Sequence, residues 1–174
     1  MNTLQLAKLK QHLLQEIGDA SKEPYSYQLI ADDEEERIYE FTTTLGMIYE
    51  ITIETIFEQT VIAIVKFGTV EPNDPYNVNY SAQTGDSDVY RVMSTIVAIV
   101  KEDLKNNDAD IIQFEPSKRS GKDSDVTNNV RANLYKRYIK SELTKQLKLS
   151  DEDAEKAFTV HGNSIRVTLP QETK

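Results

Sequence analysis

With 174 residues, 39% of them apolar and 28% charged, the chain is long enough to bury a core as one domain and too apolar to stay unfolded. It has no cysteine, which excludes disulfides, thiolate nucleophiles and Cys-ligated zinc and fits a reducing, cytoplasmic setting. The net charge of −9 argues against a general nucleic-acid binder, and no apolar run approaches the length of a membrane-spanning helix, so no membrane partner is expected.

At the start of the chain, Leu6, Leu9, Leu13 and Ile17 share one helical face before Gly18, which predicts an amphipathic helix. Polar residues interrupt its apolar positions, so it lacks the continuous core of a signal peptide. Residues 19–36 read as a polar connection that closes on the acidic run Asp32-Asp33-Glu34-Glu35-Glu36, taken as solvated surface. Three runs rich in β-branched and aromatic residues follow: Arg37–Leu45, Met47–Phe57 and Val61–Phe67. Tyr49, Ile51 and Ile53 alternate with Glu50, Thr52 and Glu54, the period of a half-buried strand, and Gly46 breaks the first pair. An antiparallel three-strand meander is the expectation.

Pro72 opens what reads as a long loop to about Ser87, a length that often carries function. Asp86 or Ser87 then caps a helix whose residues Val89, Met93, Ile96, Val100 and Leu104 lie on one face, widened by Val92, Val97 and Ile99. Such a stripe predicts central burial. Ile111, Ile112 and Phe114 form a short core strand before Pro116, and a second helix carries the seam Val130, Leu134, Tyr138, Leu143 and Leu147. Ala157–Val160 and Ile165–Leu169 flank Gly162-Asn163 as a C-terminal hairpin. The fold class is therefore α+β, with a mostly antiparallel sheet packed by about three helices.

Charge is unevenly placed. Between Lys118 and Lys148 the chain carries a net +6, leaving −15 elsewhere, so a basic patch on an acidic body is expected. Ser117, Lys118, Arg119, Arg131 and Arg137 are the candidate residues for an anion or an acidic partner segment at the strand-to-helix junction. A solvated helix face is the plainer reading, because Lys136, Lys140 and Lys148 simply cover one helix surface. His12 and His161 are the only histidines and are far apart in sequence, so neither a metal site nor a Ser-His-Asp mechanism is expected.

The element order, with the stretch Asn128-Asn129-Val130-Arg131-Ala132-Asn133-Leu134-Tyr135, resembles the GNAT acyltransferase family and its Asn-to-Leu-Tyr signature. The resemblance implies a GNAT-like fold, an acetyl-CoA cofactor and Tyr135 as general acid toward the departing thiolate. A phenol of pKa about 10 can protonate a thiolate of pKa about 8.5. Arg131, Ile139 and Lys140 stand where the family carries alanine, glycine and phenylalanine. The loop before the buried helix, Gln83-Thr84-Gly85-Asp86-Ser87-Asp88, has one glycine and no basic residue where family members cradle a pyrophosphate. Each carboxylate there, about 5 Å from a phosphate, would cost roughly 1–3 kcal/mol, more than the ~0.3–1 kcal/mol that the helix dipole returns.

Thr84-Gly85-Asp86, Val89, Met93-Ser94-Thr95-Ile96-Val97, Phe114, Ser117, Arg131 and Leu134-Tyr135 are together similar to a set of phage and Bacteroidetes proteins, a resemblance that implies a cytoplasmic protein, in the host cytoplasm or the virion if it is phage-encoded. The expected function is non-catalytic: a binding, structural or assembly protein with a protein partner or a second copy and no cofactor. The alternative is an acyl-CoA-dependent N-acyltransferase with an atypical cofactor loop.

Overall fold

The computed structural model describes residues 23–71, 73–79, 89–115, 136–145, 148–161 and 164–169. In chain order the elements are β1 (Tyr27–Asp32), β2 (Glu36–Thr42), β3 (Ile48–Phe57), β4 (Val61–Glu71), β5 (Asp74–Asn79), α1 (Val89–Asn106), β6 (Ile111–Glu115), α2 (136–145), α3 (Asp151–Ala157), β7 (Phe158–His161) and β8 (Ser164–Thr168). The result is α+β: one mostly antiparallel sheet in the order β1-β2-β3-β4-β6-β8-β7, with β5 paired to β4 off that path.

The strands alternate as their sequences require. Arg37, Tyr39 and Phe41 of β2 point to the same side as Tyr49, Ile51 and Ile53 of β3, Ala63, Val65 and Phe67 of β4, Ile112 and Phe114 of β6, and Ile165 and Val167 of β8, all buried. Met93, Ile96, Val97 and Val100 of α1 pack into the same core as these strands, as do Tyr138, Ile139 and Leu143 of α2. A fully buried isoleucine such as Ile96 or Ile51 contributes roughly 1.5–3 kcal/mol. The β2–β3 turn closes where Gly46 adopts φ +80°, a conformation glycine takes without a Cβ penalty. The Gly46 N–H donates to the Thr43 carbonyl at 2.9 Å, and the Thr43 N–H donates to that of Met47 at 2.8 Å.

The meander, the buried α1, the core strand β6 and the C-terminal hairpin stand where the sequence placed them. Three elements correct the reading. The connection over residues 19–36 contains β1, which was missed because its side chains show no buried alternation: Gln28 to Asp32 are all exposed. The long loop after Pro72 contains β5. Residues before the hairpin form α3, whose N-cap Ser150 accepts a hydrogen bond from the Asp153 N–H through its Oγ. The acidic run is surface, as expected: Asp32 to Glu35 are exposed, and Asp33 Oδ1 accepts from the N–H groups of Glu35 and Glu36 at 2.9 and 2.7 Å. The amphipathic helix expected in the first 18 residues, the caps at Asp86 and Ser87, and Val130, Leu134 and Leu147 of the α2 seam lie outside the described residues.

Candidate functional site

Among the described residues, a buried polar constellation lies between α1 and the sheet. On a helix face otherwise made of Met93, Ile96, Ile99 and Val100, position 103 carries a carboxylate, and on the buried side of β2, position 37 carries a guanidinium; both are almost wholly buried, at 2% and 1% exposure. The two meet as a fork: Arg37 Nε donates to Asp103 Oδ1 at 2.9 Å and Nη2 to Oδ2 at 2.7 Å. Arg37 Nη1 also donates to Thr55 Oγ1 at 2.6 Å. The Tyr39 hydroxyl and Asn107 Nδ2 each add a bond to Asp103 Oδ1, at 3.1 and 3.3 Å.

Electrostatics follow from this geometry. The hydrogen bonds to Asp103 raise the proton affinity of Arg37, more than burial lowers it. Burial, then the Asp103 charge, pushes the Tyr39 phenol far up, so it stays a donor. The constellation is closed and internally bonded, and its chemistry is to fasten α1 to β2.

Among the described residues, hollows open outside it in at least two places. One, of about 280 Å³, is lined among others by Pro24, Tyr27, Ser94, Lys101, Glu102 and Glu142. The Tyr27 hydroxyl donates to Glu102 Oε2 at 2.5 Å, and burial, followed by the Glu102 carboxylate, raises its pKa to about 12. Beside this hollow the Tyr138 hydroxyl is buried without a hydrogen-bond partner among the described residues. Burial pushes the pKa of that phenol up, and the nearby Ser94 side chain offsets only part of the rise.

A second hollow, of about 470 Å³, lies between α2 and α3, with Arg137, Lys140, Lys145, Asp151 and Glu155 in its walls. Lys140 pairs with Glu155, whose carboxyl it holds below the usual range, and Lys145 pairs with Glu142 at 3.2 Å.

Of the residues the sequence nominated, Arg137 is exposed on α2 and lines this second hollow. Ser117, Lys118, Arg119, Arg131 and Tyr135 lie outside the described residues, as do His12 and the Gln83–Asp88 loop, and His161 ends β7. α3 was not foreseen, and it changes the electrostatics of α2 by laying Asp151 and Glu155 along the face that carries Arg137, Lys140 and Lys145. The Arg37–Asp103 pair was also missed, although its signal was legible: Asp103 stands seven residues after Ile96, on the apolar stripe, and Arg37 falls at the two-residue spacing that puts it on one strand face with Tyr39 and Phe41.

Among the described residues no group of three or more metal-ligating side chains converges, and no helix is long and apolar enough to cross a membrane. No family model, curated protein or solved structure matches the chain.

Proposed function

We propose that the chain is a non-catalytic binding or assembly protein on a GNAT-like scaffold. The observation that carries this reading is at the edge of β4. In sheets with adjacent parallel strands, ligands bind in the crevice beyond the strands' C-terminal ends. β4 and β6 are the parallel pair, matched from Ile62↔Ile111 to Lys66↔Glu115. Past that point β4 continues, with β3 along one edge, and on the edge it shares with β6 its residues Thr69, Val70 and Glu71 pair with β5. The chain's own strand thus takes up backbone groups that a ligand entering the crevice would use.

Supporting the scaffold is the element order: antiparallel meander, buried helix, strand, helix, C-terminal hairpin. Supporting the absence of catalysis are the closed Arg37–Asp103 constellation and, in sequence, the carboxylates of Asp86 and Asp88 where a pyrophosphate would sit. A protein partner is the natural occupant of the exposed surface around Arg137.

Thermal melting of the full chain with millimolar CoA or acetyl-CoA tests the reading. No shift is expected. A cofactor bound at a hundredfold over its Kd adds ~2.7 kcal/mol, a rise of roughly 5–10 °C. A rise of that size would replace this reading with the acyltransferase one, in which Tyr135→Phe abolishes turnover.

A further inference from the structure

β1 ends the sheet, and among the described residues no strand lies along its outer edge, so alternate N–H and C=O groups from Tyr27 to Asp32 face away from β2. Five of its six residues are exposed, including Leu29 at 45% and Ile30 at 49%. Edges are ordinarily blunted by lysine, proline, a bulge or a covering element. β1 has neither lysine nor proline, and its one irregularity, where Ile30 is skipped between Leu29 and Ala31, leaves Leu29 and Ile30 both exposed. The opposite edge, β7, is shorter, with four residues.

We infer that β1 is a docking edge for β1 of a second copy, the two strands pairing antiparallel about a two-fold axis and joining both sheets into one. Charge fixes the copy and the direction. The exposed acids Asp32 to Glu35 follow the C-terminal end of β1. Before its N-terminal end stands Arg91, with Nε donating to the Glu23 carbonyl at 2.8 Å and the guanidinium 4.0 Å above the Tyr25 ring.

Antiparallel pairing carries each acidic turn to the partner's Arg91. It also separates the two turns by the length of the strand, roughly 20 Å, about twice the Debye length at 0.1 M salt. Parallel pairing would set the acidic turns side by side. Glu23 and Glu102 share the Arg91 end, so charge selects orientation, while backbone hydrogen bonds and the meeting of Leu29 and Ile30 supply the affinity. One short strand edge buries less than a standard interface, which makes this a dimer of micromolar or weaker affinity. The inference goes beyond the proposed function and does not depend on it.

Light scattering and sedimentation of the full chain, from micromolar to near-millimolar concentration and at low and high salt, test it. Wild type is expected to double in mass with concentration and to stay dimeric in high salt. Ile30→Lys should raise the dissociation constant by about tenfold or more, while Val160→Lys, on exposed β7, should leave it unchanged. Circular dichroism melts establish that each variant folds, and Gln28→Lys, also exposed, replaces Ile30→Lys if that variant does not. A monomer under all conditions overturns the inference, as does an Ile30→Lys protein that dimerises like wild type. A dimer that dissolves in salt and ignores Ile30→Lys also overturns it, and assigns self-association to charges such as those around α2, which leaves the proposed function standing.

Discussion

Replacing Asp103 with alanine strips the acceptor from Arg37 Nε, Arg37 Nη2 and the Tyr39 hydroxyl at once. The guanidinium, 1% exposed, cannot turn to water, so the variant leaves an uncompensated buried charge. Such a loss costs about 3–5 kcal/mol, a large share of the ~5–15 kcal/mol that holds a typical domain together, and lowers Tm by roughly 10 °C. Asp103→Asn keeps one oxygen acceptor and should cost about half as much. The triple variant Arg37→Met, Tyr39→Phe, Asp103→Leu removes the guanidinium and the phenol that the deletion orphans, and Asn107 Nδ2 keeps its bond to the backbone carbonyl of residue 103, so it should recover most of the loss, because a buried pair is often no better than an apolar set of similar volume. Urea denaturation of the four proteins measures all of this. An Asp103→Ala variant that loses less than about 1 kcal/mol would show that water reaches the pair, and the claim that it seals α1 onto β2 would be wrong.

Glu50 lies directly across from Glu40, and burial first, then Glu40 and Glu36, raise its pKa above the ordinary 4.5. A carboxyl raised on folding works against the native state at neutral pH, and that penalty fades as pH falls through the folded value and is gone below the unfolded one. Glu50→Gln should therefore raise stability at pH 7 by a few tenths to about 1 kcal/mol, with the advantage over wild type shrinking in melts run near pH 5; a loss of stability at pH 7 would contradict it. The Tyr27 phenol rises from 10.0 to about 12 on folding, so its contribution is whole below pH 10 and is lost between pH 10 and 12. Tyr27→Phe should flatten that part of the alkaline stability profile, by about 1 kcal/mol given solvent screening, as denaturation across the window will record.

How far the chain could be read depended on whether a segment's burial leaves a period. β3 and β4 are buried on one side, so Tyr49, Ile51, Ile53 and Ala63, Val65, Phe67 alternate visibly. α1 is buried over most of its girth, which its wide stripe announces. β1 has no such record because its side chains are exposed on both faces and its place is set by backbone pairing with β2, a long-range fact that composition does not carry. α3 is short and mostly polar, with Ala154 its one buried residue, so only the Ser150-to-Asp153 cap spacing marks it. The basic run was read along the chain, while its counter-charges on α3 come from a turn later in sequence.

Arg37 and Asp103 bear on function as well as stability. A catalytic carboxylate or guanidinium is set where a substrate can reach it, with part of its hydrogen-bonding capacity held open. Here the buried acid accepts from three side chains and the base is forked onto it and onto Thr55, so neither group can turn toward a ligand without breaking the helix–sheet contact. The crevice beside β4 is closed in the same manner, by pairing with β5. At these two places among the described residues, polar groups are spent on the fold itself. Among the described strands β1 leaves one backbone edge without a partner strand, and strand edges recognise other chains. Interior closure at Arg37–Asp103 and edge exposure at β1 are the two features on which the proposal of an association role rests.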